Sequence, residues 1–167
     1  MARNSKRGVG PDKLNQLRHV RFLQNAGGLR KHMEKHRALL VPKFTAVQDG
    51  LSRRLTGTGA ATWSAPQGGY FINVETLPGT ARRAVGLADE AGVMLTVAGS
   101  TWPYGRDPQD SNIRIAPSFA SLGDVRLAAE VIALSILLAA AEKCQGGASI
   151  AVQTAPIGRP ETNIPIR

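Results

Sequence analysis

Asn112-Ile113-Arg114-Ile115-Ala116-Pro117-Ser118 alternates in the manner of a short β-strand, placing Ile113 and Ile115 on one face and Arg114 on the other. A guanidinium held out from a strand is a good carboxylate receptor. Its planar fork donates two parallel charge-assisted hydrogen bonds, and a strand fixes the root of the side chain better than a loop does. The competing reading is a solvated charge on a sheet edge. On the amino-terminal side a loop, Gly99 to Ser111, leads into this strand, and Val93-Met94-Leu95-Thr96-Val97 reads as a buried strand before it. On the other side Ser121 is placed to cap a last helix from Leu122 to about Lys143.

Thr62 to Ser64 and Tyr70 to Val74 read as strands around Pro66-Gln67-Gly68-Gly69, whose paired glycines admit positive φ or close backbone approach. Pro78-Gly79 ends the second strand. Thr80 is positioned to cap a helix running through Ala91, with apolar positions Ala81, Ala84, Val85 and Ala88, and Gly92 closes it. Before Gly57 the period is helical: Leu29, Met33, His36, Leu40, Phe44, Val47, Leu51 and Leu55 recur every three or four residues. Pro42 removes one bond of that long amphipathic helix, so a bend near Ala38, or two coaxial pieces, is expected. Pro11 to Leu23 reads as a first helix stopped by Asn25 to Gly28.

This order describes an α+β domain, a small antiparallel or mixed sheet packed on one face by helices and preceded by a long linker helix. The expected boundaries are a flexible stub at residues 1–10, helices over 11–55, a small α+β domain over 60–143, and a disordered tail over 144–167 that has no helical or strand period.

A chain of 167 residues with 43% hydrophobic, 5% aromatic and 20% charged residues has the composition of a globular domain with a real core. Its 21 Lys and Arg against 12 Asp and Glu give a net charge of +9, concentrated before residue 40, which would attract phosphates, nucleic acid or an acidic protein face. Cys144 is the only cysteine, so an intrachain disulfide and a Cys-rich metal site are both excluded and a reducing, cytoplasmic setting is expected. The basic first residues are not followed by an apolar stretch, as a secretory signal would require. The apolar run Val131 to Ala141 is too short for a membrane span, and no membrane association is expected.

His32 and His36 stand four apart on one helical face, the spacing of a two-histidine metal site. Glu34 is misplaced for the zinc-protease pattern, and Arg30, Lys31, Lys35 and Arg37 would repel a cation, so a solvated or partner-facing role is expected and no metal. No glycine pair forms a phosphate loop or a dinucleotide fingerprint, and no serine or cysteine sits in a nucleophile context. Nucleic acid is not expected as a partner, because the basic helices bring neither an aromatic platform nor a helix-turn-helix pattern.

Taken in order, Pro66-Gln67-Gly68-Gly69-Tyr70-Phe71, Ala91-Gly92-Val93, Ala98-Gly99 and Asn112-Ile113-Arg114 resemble the small carboxy-terminal domain of fold-type I, pyridoxal-phosphate-dependent aminotransferases. The segments GPDKLNQLRHVRFL, KHRALLVPKF, PGTARRAV and PYGRDPQDSNIRIAPSF are similar to the class I/II branch that includes actinobacterial aspartate aminotransferases, over about Arg7 to Lys143.

The resemblance implies that Arg114 holds the α-carboxylate of an amino-acid substrate and that Asn112 orients the strand or the ring region beside it. The activity it implies is transfer of an amino group between an amino acid, aspartate or glutamate, and a 2-oxo acid, with pyridoxal 5'-phosphate as cofactor and a homodimer as the full-length enzyme. Gly10-Pro11-Asp12-Lys13 is similar to a segment near the family's dimer interface and the neighbouring subunit's cofactor. The family also needs a lysine that forms a Schiff base with the cofactor and an aspartate on its pyridinium nitrogen, both in the large domain. None of Lys6, Lys13, Lys31, Lys35, Lys43 and Lys143 lies in the family's Ser-Lys context. The chain therefore reads as a carboxy-terminal fragment with no catalytic residue of its own, inactive alone and not expected to hold the cofactor by itself. The alternative is a non-enzymatic basic interaction module that keeps the small-domain fold.

Overall fold

The computed structural model describes the backbone of residues 12–153 and the side chains of residues 12–146. Two helices come first, α1 (Lys13–Leu23) and α2 (Ala26–Leu55). Asp12 caps α1 by accepting from the Asn15 N–H, and Asn25, expected to stop that helix, caps the next one by accepting from the Gly28 N–H at 3.0 Å. Gly28 is required here, since a Cβ would lie 1.9 Å from the Leu23 carbonyl oxygen. Pro42 is accommodated inside α2, which is one helix and not two pieces.

The apolar period over α2 extends along its whole length, but burial does not. Ala46, Val47, Gly50, Leu51 and Leu55 are buried, whereas Leu29 and Met33 are exposed and α1 buries nothing. The amino-terminal half of α2 and all of α1 form a projecting arm.

Strands β1 (Ala61–Trp63), β2 (Ile72–Thr76) and β3 (Asn112–Ile115) form a three-stranded antiparallel sheet in that order, so β2 is central. Ile72, Val74, Ile113 and Ile115 face inward, and their core is completed by α2, α3 (Ala81–Glu90) and α4 (Leu122–Gln153). The helices use small residues to approach closely: Ala81, Ala84 and Ala88 on α3 and Ala129, Ala133 and Ala140 on α4 are buried. Ion pairs clasp the outside, with Glu130 between Arg53 and Arg54 and Glu142 against Arg83 at 2.8 Å. Among the described residues no helix is long and apolar enough to cross a membrane.

α2 and α4 approach closely at Gly50 and Ala129, where a Cβ on Gly50 would sit 2.7 Å from the Ala129 Cβ. Gly50→Ala is expected to lower stability by about 1–3 kcal/mol through overpacking, despite alanine's better helix propensity. Denaturant unfolding of Gly50→Ala, Ala129→Gly and the double variant tests this: the two changes together should cost less than their sum.

Several expectations need correction. Val93 to Val97 is not a buried strand: Met94 is 88% and Val97 74% exposed, and the segment pairs with no described strand. Its backbone serves other ends, since the Val93 N–H closes α3 on the Ala88 carbonyl and the Val97 carbonyl accepts from Ser100 in a turn. An apolar run alone cannot separate these uses from a strand. Tyr70 and Phe71 precede β2, which begins at Ile72. Thr80 stands at the N-cap of α3 but its hydroxyl donates to the Leu77 carbonyl at 2.6 Å and does not cap. Asp110 takes that task from a distant loop, its carbonyl accepting from the Thr80 and Ala81 N–H groups and its carboxylate from the Arg82 N–H. Helix α4 continues past Lys143 to Gln153, so residues 144–153 are helical and not a disordered tail. Ser121 caps α4 as expected, accepting from the Asp124 N–H at 3.2 Å. The expected stub at residues 1–10 and the tail beyond Gln153 lie outside the described residues.

Candidate active site

The face of the sheet away from the core is polar. Antiparallel register sets Asn73 opposite Arg114 and Glu75 opposite Asn112, and alternation turns all four side chains to the same side. Arg114 is half-buried, its guanidinium carbon 4.5 Å above the centroid of the Phe71 ring. That cation–π contact fixes the plane of the fork. Among the described residues, the Arg114 Nε is the buried side-chain nitrogen left without a hydrogen-bond partner. A buried charged donor with no acceptor is costly, which makes Arg114 a candidate to receive an acceptor from outside.

Asn112 does not share that opening. It is buried, its amide donates to Asn73 Oδ1 at 2.7 Å and to Glu75 Oε1, and its carbonyl oxygen accepts from Thr101 at 2.9 Å. With every polar atom satisfied, Asn112 is equipped to tie β3 to β2 and to the loop before it.

Asp107 anchors that loop. It is buried, and its carboxylate accepts from the Gln109 N–H at 3.0 Å, the Ser111 N–H at 2.8 Å and the Asn112 N–H at 2.9 Å. Burial pushes its carboxyl upward, but the backbone N–H groups of Ser111, Asn112, Gln109 and Asp110 outweigh this and hold it below its ordinary value. Asp107, Phe71, Asn73, Glu75 and Thr101 carry no role in the sequence reading. The signals that could have found them were the Asx-turn pattern of Asp107-Pro108-Gln109-Asp110-Ser111 and the period-two partners of Arg114 on β2.

The chain matches the Aspartate amino-transferase family model over residues 4–148. The chain belongs to the aspartate aminotransferase family. It is 51% identical over 141 residues to a Mycolicibacterium smegmatis protein named "Putative aminotransferase", covering 84% of this chain and 33% of that protein. It is 48% identical over 136 residues to the aspartate aminotransferase of Corynebacterium glutamicum, covering 81% of this chain and 32% of that enzyme. The solved structure of an aspartate transaminase from Corynebacterium glutamicum superposes with a TM-score of 0.77 at 46% identity, over 85% of this chain and 34% of that one. The chain spans about a third of the length of the curated relatives it matches.

A family cofactor would need a lysine amine and a free carboxylate near Arg114, and the described residues do not fit this. Lys43 donates to the Ser118 carbonyl at 2.8 Å and Lys143 to the Pro78 carbonyl, while Lys13, Lys31 and Lys35 lie exposed on the arm. No lysine lines either the cavity of about 710 Å³ between α2 and the Pro66–Tyr70 loop or the cleft of about 160 Å³ beside Arg114 and Ile115. The nearby carboxylates are engaged too: Asp107 with backbone, Glu75 with Asn112, Asn73 and Ser111, and Asp110 with α3.

Proposed function

We propose that this chain supplies the carboxylate anchor of a pyridoxal-phosphate-dependent aminotransferase that moves an amino group between aspartate or glutamate and a 2-oxo acid, and that alone it is inactive. The orphaned, buried Nε of Arg114 above Phe71 carries this reading. A substrate carboxylate would give that donor its acceptor, with Phe71 setting the plane of approach and the strand setting its depth. The Asn73–Glu75–Asn112 cluster acts as the support that keeps β3 from yielding under load. The part of the relatives' length that this chain does not span would hold the cofactor, in a cytoplasmic homodimer of the complete enzyme.

The test on the chain itself is nuclear magnetic resonance. Succinate is expected to shift the Arg114 Nε–H signal and the backbone amides of Ile113 and Ile115, and Arg114→Gln should weaken that binding roughly tenfold or more. An unresponsive Arg114 would overturn the anchor. Treatment with pyridoxal phosphate and borohydride should attach cofactor to no specific lysine, and a single labelled lysine would overturn the inactivity.

A second reading, a basic interaction module, is favoured by the arm, where exposed Leu14, Val20 and Phe22 stand among Lys13, Arg18 and Arg21. Salt-sensitive capture of an acidic protein, lost in arm variants and untouched by Arg114→Gln, would select it.

A further inference from the structure

The arm holds a pair of imidazoles that neither the sheet nor its anchor uses. His32 and His36 are both half-buried, one helical turn apart, and their Nε2 atoms lie 3.1 Å from each other. The rings are held: Phe22, in the last turn of α1, meets His32 edge-on at 5.1 Å, and the two imidazoles meet edge-on at 4.5 Å. His36 also forms part of the wall of the large cavity, together with Glu34, Leu40 and Phe44.

The nitrogen separation has a second meaning besides a hydrogen bond. With metal–nitrogen bonds of about 2.0–2.1 Å, two nitrogens 3.1 Å apart subtend about 95–100° at a shared ion. That angle lies between the octahedral and tetrahedral values. Both lone pairs can be freed at no net proton cost, because the donor ring's proton moves through water from Nε2 to Nδ1. Neither Nδ1 is engaged by a partner among the described residues, and a neutral imidazole ligates through the nitrogen opposite its proton.

We propose that His32 and His36 form a two-nitrogen chelate for a late first-row divalent cation, Cu²⁺ bound more tightly than Zn²⁺, with water completing the coordination on the cavity side. Among the described residues no third histidine, cysteine or carboxylate joins the pair, so the site is open and holds its ion at the surface. The cations beside it in sequence, Arg30, Lys31, Lys35 and Arg37, are all exposed to solvent, Arg30 and Arg37 on the wall of the same cavity, and their repulsion is screened at physiological salt. Hard cations such as Mg²⁺ and Ca²⁺ prefer oxygen and should not bind here.

The experiment is calorimetric titration of the chain, in a Cys144→Ser background that removes thiolate binding, with Cu²⁺ and Zn²⁺ near neutral pH. One ion per chain is expected, with His32→Asn and His36→Asn each weakening it at least tenfold. His19→Asn should change nothing, since its Nδ1 is engaged with the Asn15 carbonyl in α1. Electron paramagnetic resonance of the Cu²⁺ form should show coupling to two equivalent imidazole nitrogens. Equal binding by the parent and the His32→Asn/His36→Asn variant, or no binding at millimolar Zn²⁺, would overturn the site. Because His19, His32 and His36 lie on the arm outside the core and Cys144 is exposed on α4, circular dichroism should report unchanged folding in every variant.

Discussion

Replacing Asp107 by alanine is expected to destabilise the domain by about 2–4 kcal/mol, because three backbone donors, those of Ser111 and Asn112 buried, lose a charged acceptor together. Urea unfolding measures the loss, and Asp107→Asn, which keeps one acceptor oxygen, should fall between the parent and the alanine variant. The effect carries a pH signature. The carboxyl is held below its ordinary value of 3.8 in the folded chain, so its contribution is fully present above that value and fades as the pH falls through the lower folded one. The parent and Asp107→Ala should therefore differ by a constant amount from neutrality to about pH 5 and converge at more acid pH. A gap that stays constant down to pH 2 would show that the carboxylate charge does no stabilising. The same variant should loosen Asn112 and raise exchange at the Ser111 and Asn112 amides, weakening succinate binding by Arg114 without touching its side chain.

Leu51→Ala is expected to cost a similar amount, about 2–5 kcal/mol, since the side chain is wholly buried and its removal leaves a cavity as well as forgoing transfer from water. Leu51 lies where α2 passes from the arm into the core, in one cluster with Leu55, Ile72, Val74, Ile113 and Ile136. Hydrogen exchange should accelerate over residues 46–55 and in the facing turns of α4. Exchange in α1 should be unchanged, because nothing there is buried. Leu17→Ala, on that exposed helix, is the matched control and should stay within about 0.5 kcal/mol of the parent. If both leucine variants cost the same, the division into arm and core would be wrong.

The sequence was most informative where a local rule and the tertiary structure agree. Ile113 and Ile115 alternate with Arg114 because a half-buried strand requires it, and the same regularity turns the guanidinium to the polar face of the sheet. The amphipathic spacing of Val47, Leu51 and Leu55 likewise reflects a face that is buried. The identical spacing of Leu29 and Met33 does not, because a period records what a face is able to bury and not whether anything covers it. Val93 to Val97 failed for a related reason: its apolar residues close α3 and enter a turn, and nothing within the run distinguishes those tasks from pairing. Of the site, Arg114 was legible from its own strand. Phe71 and Asn73 were not, since their relation to Arg114 depends on the β2–β3 register, which joins residues some forty positions apart. Asn112 shares β3 with Arg114, but its partners on β2 could be known only once that register was fixed.

The cap of α3 by Asp110 joins parts of the chain that are distant in sequence. The Gly79 N–H reaches the Gln109 carbonyl and the Thr76 N–H reaches the Ser111 carbonyl, so the start of α3, the end of β2 and the approach to β3 meet in one hydrogen-bonded joint. Such a joint leaves no slack between the helix and the strand. The first turn of α3 thus shares its support with the strand that roots Arg114, and disturbing one is expected to disturb the other.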